Sequence, residues 1–156
     1  EQDLLAYIQP VFIDLDMNTV EPAIGAHRMD KVYAWKSMLD MGIHTSGGSD
    51  APVVSFDAME NIYFAVTRKN ISGQPQEGWI PSEKISVDEA VKLFTKNAAY
   101  ASYTEDENGT IEVGKNADFV VLEKNIYEID PDEIKATKVD MTVLGGEIVY
   151  EREVEE

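Results

Sequence analysis

The chain has 156 residues, 44% of them hydrophobic, with thirty acidic side chains against thirteen basic ones and a formal net charge of −17. That is enough apolar material for a packed core, so disorder is not the expectation, and the sign of the charge argues against nucleic-acid backbones and anionic membrane surfaces as partners. The absence of cysteine removes disulfides, zinc–thiolate sites and a cysteine nucleophile.

Taken in chain order, residues 4–14 are apolar, bounded by acids and interrupted by Pro10, which predicts a strand running into an irregular segment. "DLDMNTVEPAIGAHR" reads as a loop. From Met29 to Met41, Val32, Trp35 and Leu39 recur at helical spacing, and Gly42 stands where a helix is closed by glycine. "IHTSG" is a short strand, and Met59, Ile62, Tyr63 and Val66 mark a helix over about 56–68. A loop rich in Gly and Pro, "KNISGQPQEGWIPSEK", follows. Ser86 with Glu89 three places on is a capping box opening a helix through residue 102. After Asn108–Gly109 the texture changes to β runs, "TIEVG", "DFVVLE" and "KVDMTVLGGEIVY", the last with a hairpin signal at Gly145–Gly146. The chain therefore divides into 1–104, with strand–helix units, and 105–156, rich in β structure.

Strand, loop, helix repeated in the first part is the grammar of βα units with parallel strands. In a barrel of such units the strands' C-terminal ends make the active site. Asp50 in "TSGGSDAPV" sits at such an end, alone in a run of small polar residues, where it is either a turn residue before Pro52 or a chemical group.

"GGSDAPV", "AVTR", "SVDEAVKLFTKNAAYA", "GTIEVGKNADFVVLE" and "TVLGGEIVY", in this order, resemble the metal-dependent amidohydrolases, and "YIQPVFID" and "GAHR" point to the branch that contains N-substituted formamide deformylase. The resemblance implies an α/β fold: the C-terminal part of a (β/α)8 TIM barrel, with 4–14 and 43–49 as its last two strands, the following helices, and the C-terminal share of a small β-sandwich. It implies that Asp50 ligates a divalent metal, zinc, and takes a proton from the attacking water. It also implies a small-molecule substrate with an amide or formamide C–N bond. The family's His-x-His pair, lysine and further histidines have no counterpart here, since His27 and His44 are the only histidines. A barrel needs roughly 250 residues, so the chain is expected to be the C-terminal piece of the enzyme and inactive alone.

His27 and Arg28, in the loop after the first strand, and Trp79, in the long loop, are candidate substrate contacts. His44, Asn97, Lys115 and Asp118 are expected to be structural, and Arg68 to serve the helix C-terminal dipole. The closing "EREVEE" is expected to be a solvated tail. Neither a span of ~20 apolar residues nor a signal peptide is visible, the chain starting Glu1, Gln2, Asp3, so a cytoplasmic setting is expected. Open strand edges predict a homo-oligomer. The rival reading from another class is a non-catalytic α/β module for interaction or self-association.

Overall fold

The computed structural model describes residues 4–153, so Glu1–Asp3 and the last three residues of the acidic tail lie outside the described residues. Strand β1 is Leu5–Ile8 and β2 is His44–Gly47. They pair in parallel, Leu5 opposite His44 and Ile8 opposite Gly47, and Gly48 N–H extends the ladder to the Ile8 carbonyl at 2.9 Å. Adjacent parallel strands joined by helical chain are what the βα order predicted.

Strand β1 is shorter than the 4–14 apolar run. Pro10 has no N–H to give a ladder, and its fixed φ starts a 3-10 turn over Pro10–Phe12 that leads into α1, Ile13–Asp16. The expected loop that follows is helical as well, with α2 at Val20–Ile24 and a 3-10 turn at Ala26–Lys31. The helix expected from Met29 begins only at Trp35: α3 is Trp35–Asp40, because Val32 is extended and Tyr33 has φ +50. Gly42 closes it, its N–H reaching the Leu39 carbonyl.

Helix α4, Ala58–Thr67, is the centre of the fold. Asp57 caps it, accepting from Met59 N–H at 2.7 Å. Asn61, Ile62, Tyr63, Phe64 and Ala65 are consecutive and all buried, so the helix is covered on every side. On one side Asn61 Oδ1 accepts from Val11 N–H in the turn after β1. Trp35, Ile85, Ala90 and Leu93 complete the core together with Ile126 and Ile134. The last two come from the region of changed texture, where a 3-10 turn at Pro131–Ala136 packs on α4 and Asp132 meets Lys69 at 2.7 Å.

The capping box is present: Ser86 Oγ accepts from Glu89 N–H at 3.2 Å and Glu89 Oε2 from Ser86 N–H at 2.7 Å, opening α5, Val87–Leu93. Ser86→Ala should lower stability by about 1 kcal/mol, read as a fall in the thermal midpoint, while Ser86→Thr should leave it nearly unchanged. The predicted single helix through residue 102 is in fact two. Phe94 and Thr95 bond three residues back, Thr95 leaves helical geometry, and α6 runs Lys96–Ala101. The break sets the Phe94 ring against Gly47, where an added Cβ would come within 2.7 Å of the ring. A side chain at residue 47 would have to push the half-buried Phe94 ring aside.

Strands β3 (Phe119–Leu122), β4 (Val139–Leu144) and β5 (Glu147–Glu151) form an antiparallel sheet in that order. Gly145 and Gly146, at φ +59 and +84, make the two-residue hairpin turn read from the sequence. "TIEVG" is not a strand; its residues form bends and turns. The tail is not wholly solvated, since Arg152 binds Asp140 and lies 3.2 Å from Glu123. Much of the sheet is open: Val120 is 52% and Val149 58% exposed.

Candidate active site at the end of strand β2

The ladder bond from Gly48 to Ile8 places the C-terminal ends of β1 and β2 side by side, and Asp50 follows two residues later. Asp50 has φ +60, a left-handed backbone costing a non-glycine residue roughly 1–2 kcal/mol, although aspartate tolerates it better than most. Its backbone carbonyl accepts from Val53 N–H at 2.9 Å, and its side chain is exposed. The turn is therefore made by the backbone, and the carboxylate is left to project beyond the strand ends. A strained residue whose side chain does nothing for its own turn is the pattern found at functional sites.

The structure separates the other candidates. His44 is at the opposite end of β2, about 10 Å along the strand from Gly47. Its ring lies 4.1 Å from that of Tyr100, and Nε2 donates to the Asn97 carbonyl at 3.1 Å. Asn97 returns a bond from Nδ2 to the Thr45 carbonyl at 2.9 Å. Both residues tie α6 to β2. Lys115 donates to the Glu105 carbonyl at 2.6 Å and Asp118 accepts from Gly145 N–H at 2.6 Å, so each holds a turn.

His27 and Arg28 are exposed in the 3-10 turn at Ala26–Lys31. Trp79 does two things. It anchors its loop, its N–H reaching the Arg68 carbonyl at 2.6 Å and its ring packing 5.6 Å from Tyr33. It also lines a pocket of about 320 Å3 with Met17, Asn18, Asn70, Gln74 and Pro75.

Three charged residues, Arg68, Lys69 and Glu83, are buried among the described residues, and their burial was not foreseen. Arg68, expected to close its helix and serve the C-terminal dipole, does cap α4 but is 0% exposed, and burial pushes its guanidinium down to about 10, with the charge of Glu83 opposing the shift. It stays protonated at neutral pH. Glu83 is buried and accepts from Ser37 N–H at 2.9 Å, satisfying an open donor in the first turn of α3. Burial and a hydrogen bond to Asp16 likewise raise the Tyr33 hydroxyl above its usual value. The sequence signal for Glu83 was a bare "PSEK" loop, which carries no spacing to read.

A divalent metal needs several ligands, three from protein in catalytic zinc sites. Among the described residues no group of three His, Cys, Asp or Glu side chains could hold one. Asp50 offers one carboxylate, and the described residues do not make a complete metal site. No helix among them is long and apolar enough to cross a membrane.

Comparison with known proteins supplies the context. The model of the amidohydrolase family matches residues 2–150. A Bacillus subtilis protein named as an amidohydrolase, YtcJ, is 38% identical over 145 residues, covering 93% of this chain and 27% of that protein. N-substituted formamide deformylase of Arthrobacter pascens is 35% identical over 122 residues, 78% of this chain and 22% of that enzyme. The crystal structure of an uncharacterized metal-dependent hydrolase from Pyrococcus furiosus is 27% identical and superposes with a TM-score of 0.62 over 74% of this chain and 22% of its own. The chain thus spans about a quarter of the length of these relatives, and it corresponds to the C-terminal part of TIM-barrel structures of this kind. With its parallel strand pair, its aspartate at the strand end and a match along almost its whole length, the chain belongs to the amidohydrolase family.

Proposed function

We propose that the chain is the C-terminal share of a hydrolase acting on a non-peptide C–N bond, an amide or a formamide, in which β1 and β2 are the last two barrel strands and β3–β5 part of a small sandwich. The observation that carries this reading is Asp50, held in a left-handed backbone at the end of β2 with its carboxylate free of the turn. In this reading residues 1–104 belong to the barrel and 105–156 to the sandwich, with Ile126 and Ile134 as the seam between them. The family's divalent metal, zinc in this proposal, takes its remaining ligands from outside these residues. Asp50 accepts a proton at its carboxylate as water adds to the carbonyl carbon. His27, Arg28 and Trp79 face the small-molecule substrate, and the protein works in the cytoplasm.

The chain by itself should hydrolyse neither formamides nor simple amides, with or without added zinc, because one carboxylate cannot assemble the site. A longer polypeptide with the relatives' full length should. Turnover by the 156 residues alone that is abolished by chelator and by Asp50→Asn would overturn the claim that the metal's remaining ligands come from outside these residues.

A second reading, a non-catalytic interaction or self-association module, is favoured by the open sheet and by an apolar groove of about 660 Å3 between α5–α6 and β3, lined by Val91, Phe94, Ala98, Ile111, Phe119 and Val120. Exposed Leu4, just before β1, and exposed Tyr7, within it, add apolar surface at the other sheet. Apolar patches and unpaired edges of this extent recruit partners. At micromolar concentration the chain alone is expected to sediment as a homo-oligomer, most simply a C2 dimer burying the front strands. A well-folded monomer without dye-binding apolar surface would refute that.

A further inference from the structure

The residues proposed to meet substrate sit on two segments, His27 and Arg28 just ahead of Tyr33 and Trp79 within the loop after α4. One buried side chain joins the Trp79 loop to Tyr33, which follows the turn that carries His27 and Arg28. Arg68 Nε donates to the Trp79 carbonyl at 2.6 Å and Nη1 to the Tyr33 carbonyl at 3.0 Å. The guanidinium lies 4.6 Å from the ring centre of Trp35 and 5.7 Å from that of Trp79. The backbone takes part too, with Arg68 at φ +54 and its carbonyl accepting from Trp79 N–H at 2.6 Å.

A helix end asks for much less. A cation serving the helix dipole works from the surface, and lysine does it as well as arginine. Here the third nitrogen, Nη2, is buried without a partner, which is costly, and the left-handed backbone adds strain. Such an arrangement persists only where the surrounding contacts over-determine it. Those contacts are a planar fork reaching two carbonyls from different segments, with indole rings against it, and an ammonium cannot reproduce that geometry.

We infer that Arg68 is a positioning residue that holds the Trp79 loop and the His27–Arg28 segment in one fixed relation. Its bearing on turnover rests on the proposed reading of those segments as substrate contacts, and the test separates the two. Trp35 and Trp79 are the only tryptophans in the chain, and both flank Arg68, so indole emission and its quenching by acrylamide report on the site directly. In Arg68→Ala, chymotrypsin cleavage within 69–84 should rise about a hundredfold or more, as loss of two bonds from a charged donor predicts, and Trp79 should become quenchable. Millimolar methylguanidinium should restore both readouts, and methylammonium should restore neither.

Arg68→Lys keeps the charge and carries the test even if Arg68→Ala does not fold. It should behave as an opened loop, and wild-type protection in this variant would overturn the inference. In the longer polypeptide Arg68→Lys should raise KM about tenfold or more with kcat within a few-fold, the mark of lost binding rather than lost chemistry. An unchanged KM with an opened loop would overturn the positioning role. A longer polypeptide that hydrolyses no amide, while the loop responds as expected, would leave the Arg68 latch standing and sink the functional reading instead.

Discussion

Asp50→Asn in the longer polypeptide is expected to keep the fold and lose about 100- to 10,000-fold in kcat, the usual contribution of a positioned general base. The substitution is nearly isosteric. Asparagine also tolerates a left-handed backbone as readily as aspartate, so the turn at φ +60 and the Val53 bond to the residue-50 carbonyl should survive. What is lost is one proton-accepting oxygen and one negative charge. Circular dichroism and thermal midpoint should match wild type while hydrolysis of an amide substrate collapses. Asp50→Gly supplies the complementary control: it relieves the backbone strain, should preserve or slightly raise stability, and should be as inactive. Activity of Asp50→Asn within a few-fold of wild type would reduce Asp50 to a turn residue, whatever family the chain belongs to.

The second large effect lies in the core. Ile134→Ala should destabilise the chain by about 2–5 kcal/mol, the transfer term for the lost carbons plus the cavity they leave. Ile134 is 0% exposed in the 3-10 turn at Pro131–Ala136, packed on α4 against a cluster that includes Ile62 and Tyr63. A domain of this kind has about 5–15 kcal/mol in total, so the loss is a large fraction of all it has. If Ile134 shares its core with α4, both should melt in one cooperative transition and move together in the variant. Leu15→Ala, at a position 54% exposed, should stay within about 0.5 kcal/mol. Denaturant midpoints for the two variants measure the contrast. Equal, small shifts would mean that residues 124–137 only lean on α4 and do not help to hold it.

The site and the core call for different readings of the same sequence. Asp50 stands out as a candidate because a short polar run after a strand is visible locally, and because the motifs around it occur in a fixed order. Arg68 closes its helix as read, but its burial was not foreseen. A lone arginine after "AVT" looks like a surface cation, and nothing within ten residues shows that two indoles and two carbonyls will close over it. Trp79 could be read as an anchor or as a pocket wall, and the structure shows it as both. Residues 4–14 are a strand running into an irregular segment, as read, and only the bounds that the resemblance gave the barrel strand are too long, because the ladder cannot pass Pro10.

The sequence by itself determined what neighbours within a few residues decide. The capping box at Ser86 and Glu89 and the stop at Gly42 are closed by bonds spanning three positions, and the hairpin at Gly145–Gly146 by the positive φ of two adjacent glycines. The alternation of strands and helices was legible for the same reason. Tertiary structure decided the break at Phe94 and Thr95, where the ring must meet Gly47. It also decided the burial of Arg68 and Glu83, and the union of Ile126 and Ile134 with α4. Each of these depends on groups roughly ten to seventy residues apart in the chain. Periodicity records which side of an element is apolar and not which distant side chain will cover it, so only the folded chain settles where a buried charge finds its partners.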